Sequence, residues 1–376
     1  MSRAIARRRQ HGLSLIELLI GVALMLIIVT AASVVYLNTR EVDSAQSRVS
    51  ETIETGNFAL ELIGRDVSQA WSYPVVMPSA TTVYSQNSGS NGVTAALLQV
   101  FPPADWIQDT TRASYQVGVF GCDGGQYNPT TGACVATTAL SPYQSPPDSL
   151  VINYFSNDAA TMARSVGNRF DCNGVDAGSD SLNAKRRLNR GTVTNTLTGA
   201  IDPVESDDTL APSRPVFVSN RYGLISTTTE VDRQSVSTMS LACSGNGTAD
   251  GVYQPLLLGV EDLQVTYGYF DLDATNTSGS LQPAPTRFVN ATAAGNLSAV
   301  VLDGVSYAGW NRVVAVRVCV MTSTLGNAAR LTDKSGAART YLDCNDATRS
   351  YDASDRSIRT RTVQVIALRN RMNQIY

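Results

Sequence analysis

The pattern of apolar and polar positions divides the chain into three textures. A short opening segment carries Arg3, Arg7, Arg8 and Arg9, and at Leu13 the sequence turns apolar, with no charged residue from Leu18 to Tyr36. That run suffices for a membrane-crossing helix of roughly 20 residues, and positive charge ahead of it holds the opening segment on the cytoplasmic side. Beyond it, Val42, Ala45, Val49, Ile53, Gly56, Leu60, Ile63, Val67 and Ala70 recur every three or four positions. This spacing predicts that the helix continues with one small or apolar face. Glu41, Asp43, Arg48, Glu51, Glu54, Glu61 and Asp66 take the other positions, and Pro74 is the predicted stop. At 1.5 Å per residue, a helix from Leu13 to Trp71 would run on the order of 90 Å.

After Pro74 the texture becomes short apolar runs between turn residues. Candidate strands are Ala95 to Phe101, Leu150 to Phe155, Pro215 to Val218, Leu256 to Asp271, Arg312 to Met321 and Thr360 to Leu368. The clearest alternation places Leu263, Val265, Tyr267 and Tyr269 on one side and Asp262, Gln264, Thr266 and Gly268 on the other, as in a half-buried antiparallel strand. Tyr84 to Thr94, Cys122 to Pro147, Asn157 to Pro212 and Asp271 to Asn296 are rich in Gly, Ser, Thr, Asn and Pro and read as surface loops. The expected organisation is a basic leader (1–12), an apolar half-helix (13–36), an amphipathic half-helix (37–73) and a β-rich head (74–376) with a central insertion at about 84–210. The amphipathic stripe is expected to pack on the head's own sheet.

Composition narrows the chemistry. A net charge of -3 argues against nucleic acid as a partner, because phosphate backbones attract basic surfaces. Six cysteines, Cys122, Cys134, Cys172, Cys243, Cys319 and Cys344, form no CxxC pair and fit disulfides of an oxidising compartment. Free buried thiols are the rival reading. Six cysteines can pair in fifteen ways; Cys122–Cys134, Cys172–Cys243 and Cys319–Cys344 are the expected set, since each closes a Gly- or Asn-rich loop. The sole histidine, His11, lies in the leader, so the rest of the chain lacks histidine for triad catalysis or metal ligation. No cofactor is called for. Asp271 and Asp273 stand at alternating positions as in calcium loops, but the loop lacks the sixth-position glycine and the final glutamate, and a plain turn is the preferred reading. Lys185 to Arg190 is the basic cluster of the head, read as solvated loop, with pairing to Asp202, Glu205, Asp207 and Asp208 as the alternative.

Two segments carry a family resemblance. Gly12-Leu13-Ser14-Leu15-Ile16-Glu17-Leu18 resembles the class III signal of type IV prepilins and type II secretion pseudopilins. The resemblance implies that a prepilin peptidase cuts after Gly12, that Leu13 becomes the methylated N-terminus, and that Glu17 pairs with a neighbouring subunit's terminal amine during assembly. A carboxylate opposite an ammonium is tolerable in an apolar filament core, whereas either charge alone is not. Leu13 departs from the phenylalanine common in the family. Gly259 to Gly268, then Asp271-Leu272-Asp273, Val314 to Val318 and Ala367 to Arg371, resemble the head of the PilW minor pilins. The implied fold is α+β and pilin-like: a long N-terminal helix on an antiparallel β-sheet, with long disulfide-tied loops. The implied partners are other minor pilins, the major pilin, a tip adhesin, the prepilin peptidase and the inner membrane before assembly. The implied role is at the pilus tip, in assembly and adhesion. A J-type pseudopilin of type II secretion is the alternative, and a membrane-anchored binding protein or hydrolase the second.

Overall fold

Seen in a computed structural model, the apolar run and the stripe beyond it form one helix, α1 (Leu15–Gln69). The structure describes residues 15–72, 117–129, 131–137, 145–156, 170–177, 192–194, 201–203, 216–231, 233–247, 252–271, 285–302, 305–325 and 338–371. The candidate strand Ala95 to Phe101, the stop at Pro74 and the basic cluster Lys185 to Arg190 lie outside them. The chain divides into two units, 1–50 and 51–376, and α1 contributes to both.

In the second unit, Thr52, Gly56, Ala59, Leu60, Ile63, Asp66, Val67 and Ala70 are the buried helical positions, at the spacing of one helix face. This face differs from the expected stripe in three places, the first being Ala59, which is buried although it lies outside the stripe. Ile53 is exposed, and Thr52 is buried in its place because its hydroxyl lies 3.1 Å from that of Thr360 while its carbonyl accepts from the Thr322 hydroxyl at 2.9 Å. Asp66, expected among the outward polar residues, is 1% exposed. The helix ends before Pro74: Trp71 takes the left-handed conformation (φ 64°), its N–H donates to the Asn153 carbonyl at 3.3 Å, and the Arg371 guanidinium lies 4.5 Å from its ring centroid.

Two larger antiparallel sheets, beside several two-stranded ones, belong to this unit. The first contains β1 (Val119–Cys122), β2 (Ser149–Ser156), β3 (Val216–Val231), β4 (Gln234–Gly245) and β5 (Gln254–Leu258), in that spatial order. The second contains β6 (Val260–Tyr269), β7 (Arg287–Val289), β8 (Val313–Ser323) and β9 (Arg359–Ala367), in the order β7-β6-β8-β9. Between β7 and β8, the short helix α2 (Ala291–Gly295) is capped by the Asn290 side chain. The core joins Ile63, Val67 and Ala70 of α1 to Leu150, Ile152, Tyr222 and Leu241 of the first sheet and Leu263, Val265, Val316 and Val318 of the second. The fold is therefore α+β, a long N-terminal helix laid on antiparallel sheet.

The stretch Leu256 to Asp271, expected as one strand, is two strands in different sheets. Gly259 sits at φ 75°, a conformation glycine adopts without steric cost, and lets the chain pass between them. Its N–H donates to Met239 at 2.9 Å and its carbonyl accepts from Ser323 at 2.8 Å, so the turn is stitched to both sheets. β3 and β4 are longer than the apolar run at Pro215 to Val218 announces. Their outer halves, Ser226 to Thr229 paired with Val236 to Met239, are held by the hairpin ladder. Within Cys122 to Pro147, Gly125–Asn128 pairs with Ala133–Ala136, and within Asp271 to Asn296 lie β7 and α2, where the sequence announces only loops.

The structure joins Cys122 to Cys134, Cys172 to Cys243 and Cys319 to Cys344. Two of these bonds hold the same tight loop. In Asp171-Cys172-Asn173-Gly174-Val175, Asp171 Oδ1 accepts from the N–H of Asn173 and Val175, while Asp171 N–H donates to Val175 O. Asp343-Cys344-Asn345-Asp346-Ala347 repeats every one of these bonds, with Asp346 at φ 60° where the first loop has Gly174 at φ 74°. Each loop is stapled to a central strand, β4 in one case and β8 in the other.

Candidate assembly site

Along the first unit, every side chain from Leu15 to Leu37 is exposed, over 23 residues with a mean hydropathy of 2.8. A soluble helix would bury such a face, and at about 25 cal/mol per Å² of apolar surface its exposure to water is strongly unfavourable. Lipid or other apolar helices are the surroundings that remove the penalty. The polar groups within the span are consistent with this. Thr30 and Ser33 donate their hydroxyls to the carbonyls of Leu26 and Val29, both at 2.7 Å, so neither needs water. Glu17 lies in the first turn of α1, exposed, where a carboxylate also suits the positive end of the helix dipole. Arg40 stands 5.5 Å from the Tyr36 ring, near the end of the apolar run. The processing positions Gly12 and Leu13 lie outside the described residues.

The second unit is built around the end of the same helix. Asn220 Nδ2 and the Tyr222 hydroxyl both donate to Asp66 Oδ2 at 2.6 Å. Asn220 also accepts the N–H of Cys172 at 2.9 Å, so helix, β3 and one stapled loop share a single buried network. Burial raises the Asp66 pKa, opposed by hydrogen bonds from Tyr222 and Asn220 and by the nearby Arg65 charge. The same burial and the Asp66 charge push the Tyr222 phenol well above its usual range. Sequence reasoning missed this site: Asp66 has ordinary helical spacing, and its partners lie in a distant strand.

Beside the second sheet opens a cavity of about 390 Å³, lined among others by Asp123, Asp148, Gln264, Thr266, Arg317 and Asn345. Its carboxylates serve the fold. Asp123 accepts from the N–H of Ala291 and Thr292, both at 2.7 Å, at the start of α2, and Asp148 accepts from Gly124 at 2.8 Å and Val265 at 2.9 Å. Burial raises Asp148 to about 6 and neighbouring Asp262 to about 7. Elsewhere in the head, Arg359 lies about 5 Å from the ring centroids of both Tyr341 and Tyr351 and donates to Glu261 at 2.6 Å. No three Cys, His, Asp or Glu residues are placed to hold a metal ion among the described residues. Asp271 is paired with buried Arg312 at 3.0 Å, and Asp273 lies outside the described residues. The described residues thus give a head pinned to the end of α1 and an apolar half-helix suited to apolar surroundings.

Two family models match the chain: Type IV Pilus-assembly protein W over residues 228–370, and the Prokaryotic N-terminal methylation motif over residues 7–33. They bear out the resemblance to PilW minor pilins and prepilin signals, and they support a pilus component whose apolar N-terminal helix fits membrane anchoring. A comparison with curated proteins found no match. Among solved structures the chain is similar to a type IV-like pilin from Thermus thermophilus, at 12% identity over 69% of this chain and 91% of that one, with a TM-score of 0.26.

Proposed function

We propose that the chain is a minor pilin at or near the tip of a type IV pilus, where it helps start assembly and presents a tip adhesin, and so serves adhesion and twitching motility. The observation that carries this reading is the pairing of the two matched segments with the 23-residue exposed apolar span beginning two residues before Glu17. In this reading the leader 1–12 is cut after Gly12 and the new terminus at Leu13 is methylated. Glu17 then pairs with a neighbouring subunit's terminal amine. Before assembly the span sits in the inner membrane with the head in the periplasm; afterwards the half-helix 13–36 joins the filament core and the head stands at the surface. The partners are the major pilin, other minor pilins and the prepilin peptidase.

The physical reason for Glu17 is a matching requirement. A lone carboxylate in a membrane helix costs about 3 kcal/mol on insertion scales, a cost that an ammonium opposite it removes. The test is a Glu17→Ala chain, scored for membrane level, surface pili and twitching. The expected result is a normal membrane level with pili and twitching lost. Normal pili in the variant would overturn the assembly role, and loss of exoprotein secretion with intact twitching in a deletion strain would move the chain to a secretion pseudopilus.

A further inference from the structure

β9 is the outermost strand of the second sheet and pairs with β8 alone, in a register without a shift from Arg359 to Ala367. The two ends show which backbone groups that pairing uses. Ile358 O accepts from the Thr324 N–H at 3.0 Å, and the Leu368 N–H donates to Val314 O at 2.8 Å. In an antiparallel strand the N–H and C=O of one residue point to the same side and successive residues alternate. The even positions from 358 to 368 therefore turn to β8, and the odd ones turn away. Arg359 agrees, since its N–H donates to the Tyr351 hydroxyl at 3.0 Å. The backbone N–H and C=O groups of Arg361, Val363, Val365 and Ala367 have no hydrogen-bond partner among the described residues.

An open edge of this kind is a template for another strand, and folded proteins keep such edges short, bulged or charged. The other edge strands of the two sheets follow that rule: β7 has three residues, β1 four, and β5 five with a register shift against β4. β9 has nine and no shift. Its charges do not guard it either. Arg359 is bound to Glu261 and Asp355, and Arg361 to Asp346 and the Asp343 carbonyl, so the head's own groups hold both guanidiniums. Beyond them Val363 and Val365 are 37% and 55% exposed. The inner face of the strand is taken, with Thr362, Gln364 and Ile366 against Gly56 and Gly64 of α1.

This edge specifies its occupant. Outward N–H and C=O groups repeating every second residue are matched by the backbone of an extended chain. Val363 and Val365 share one face of the sheet, so an added strand meets them with alternate residues, and β-branched apolar side chains there bury the most apolar surface. Past Ala367, Arg369 is exposed and makes no ion pair among the described residues, which suits an acidic residue at that end of the occupant. A second copy of this chain offers none: in the antiparallel register that sets Val363 opposite Val365, Arg369 meets Arg359 of the other copy.

We propose that β9 is a docking edge on which an extended segment of a different polypeptide adds as a further strand of the second sheet. That segment carries β-branched apolar residues at alternate positions and a carboxylate beside Arg369. No part of this rests on the pilus reading.

The test uses the full-length chain in detergent and two short capped peptides of alternating valine and threonine, one flanked by aspartates and one by lysines. Amide hydrogen exchange is followed residue by residue. In the chain alone, the amides of Val363, Val365 and Ala367 should exchange fast and those of Thr362, Gln364 and Ile366 slowly. The aspartate peptide should slow the first set by about tenfold or more, and the lysine peptide should act more weakly. Arg369→Glu should reverse that preference. Val365→Pro removes an outward N–H that β8 does not use, so the head should fold while the peptide no longer protects Val363 and Ala367. Should Val365→Pro not fold, Val365→Lys is measured in its place; severalfold weaker peptide binding supports the edge, and unchanged binding overturns it. Outward amides already slow in the chain alone, no protection by the aspartate peptide, or equal protection in the variant would overturn the proposal. A concentration-dependent dimer that protects the same amides would hand the edge to a second copy and overturn it too.

Discussion

The two halves of α1 are both helical and both rich in apolar residues, yet they answer to different surroundings. From Leu15 to Leu37 the apolar side chains are exposed on all sides, with Ile27 at 65%, and the polar groups Thr30 and Ser33 bond back to their own helix. From Thr52 to Ala70 one narrow face is buried, with Ile63 at 0%, and its polar members Thr52 and Asp66 bond outward to strands. A uniformly apolar helix has no preferred partner direction and suits lipid or many equivalent neighbours, whereas a striped helix is committed to one surface. The contrast separates a half suited to apolar surroundings from a half that holds the head.

The largest expected effect uses one residue type in both halves. Ile63→Ala should destabilise the head by about 2 to 5 kcal/mol, because it opens a cavity in the core. Ile27→Ala should leave the head's unfolding midpoint in denaturant within about 0.5 kcal/mol of the parent. Equal effects would break the comparison.

Next is the buried polar contact. Asp66→Leu leaves the Asn220 amide and Tyr222 hydroxyl unpaired and should cost about 2 to 4 kcal/mol in chemical denaturation, while Asp66→Asn keeps an acceptor oxygen and should cost under about 1. If both variants matched the parent chain, Asp66 would not be pinning the helix.

A smaller effect comes from two glycines. A Cβ on Gly56 would meet the Thr362 hydroxyl at 2.6 Å, whereas one on Gly21 meets nothing within 4 Å. Gly56→Ala should cost about 1 to 3 kcal/mol through overpacking, and Gly21→Ala should favour the helix by up to about 1 kcal/mol. Circular dichroism melts of the two variants should therefore move in opposite directions.

The smallest effect is a pH dependence confined to the head. Asp148 and Asp262 have folded-state pKa values raised by burial to about 6 and about 7. Their contribution is fully present below the unfolded carboxylate range near 4 and is lost as pH rises through the folded values. Asp66 acts in the same direction. Asp343 and Asp355, lowered by partners that include Arg349 and Arg359, contribute above pH 4 and lose it in acid. Between pH 5 and pH 8 the first group dominates, so the head should lose about 1 to 2 kcal/mol, with water reaching the cavity moderating the change. Asp262→Asn should flatten the slope measured by denaturant titration at the two pH values.

How much of this was legible in the sequence depends on the range of the interaction. The stripe Gly56, Leu60, Ile63, Val67 and Ala70 is legible because helical periodicity is local. Asp66 is not, since its partners are 154 and 156 positions away and nothing nearby marks it as buried. Strands built from apolar residues, such as Leu150 to Phe155, are visible from their own composition. Ser226 to Thr229 and Val236 to Met239 are not, because hydroxyl residues become strand by pairing with each other across the hairpin. The break at Gly259 is likewise invisible in the alternation, because the pattern resumes in the other sheet. The disulfide pairs drawn from the loops coincide with the bonds in the structure, and Asp-Cys-Asn occurs at both 171–173 and 343–345. That the two make the same stapled turn emerges only from their hydrogen bonds. At the other end, the basic leader, Gly12 and Glu17 are conspicuous because a charge at the edge of an apolar run needs a reason.

The central claim is that the exposed half of α1 is a processed pilin stem. Intact mass of the chain from cells with and without the prepilin peptidase tests it most directly. The account predicts, in cells with the peptidase, a mass reduced by residues Met1 to Gly12 and raised by one methyl group, and the uncut mass in cells without it. An uncut leader in both would contradict the account and leave α1 as an ordinary membrane anchor.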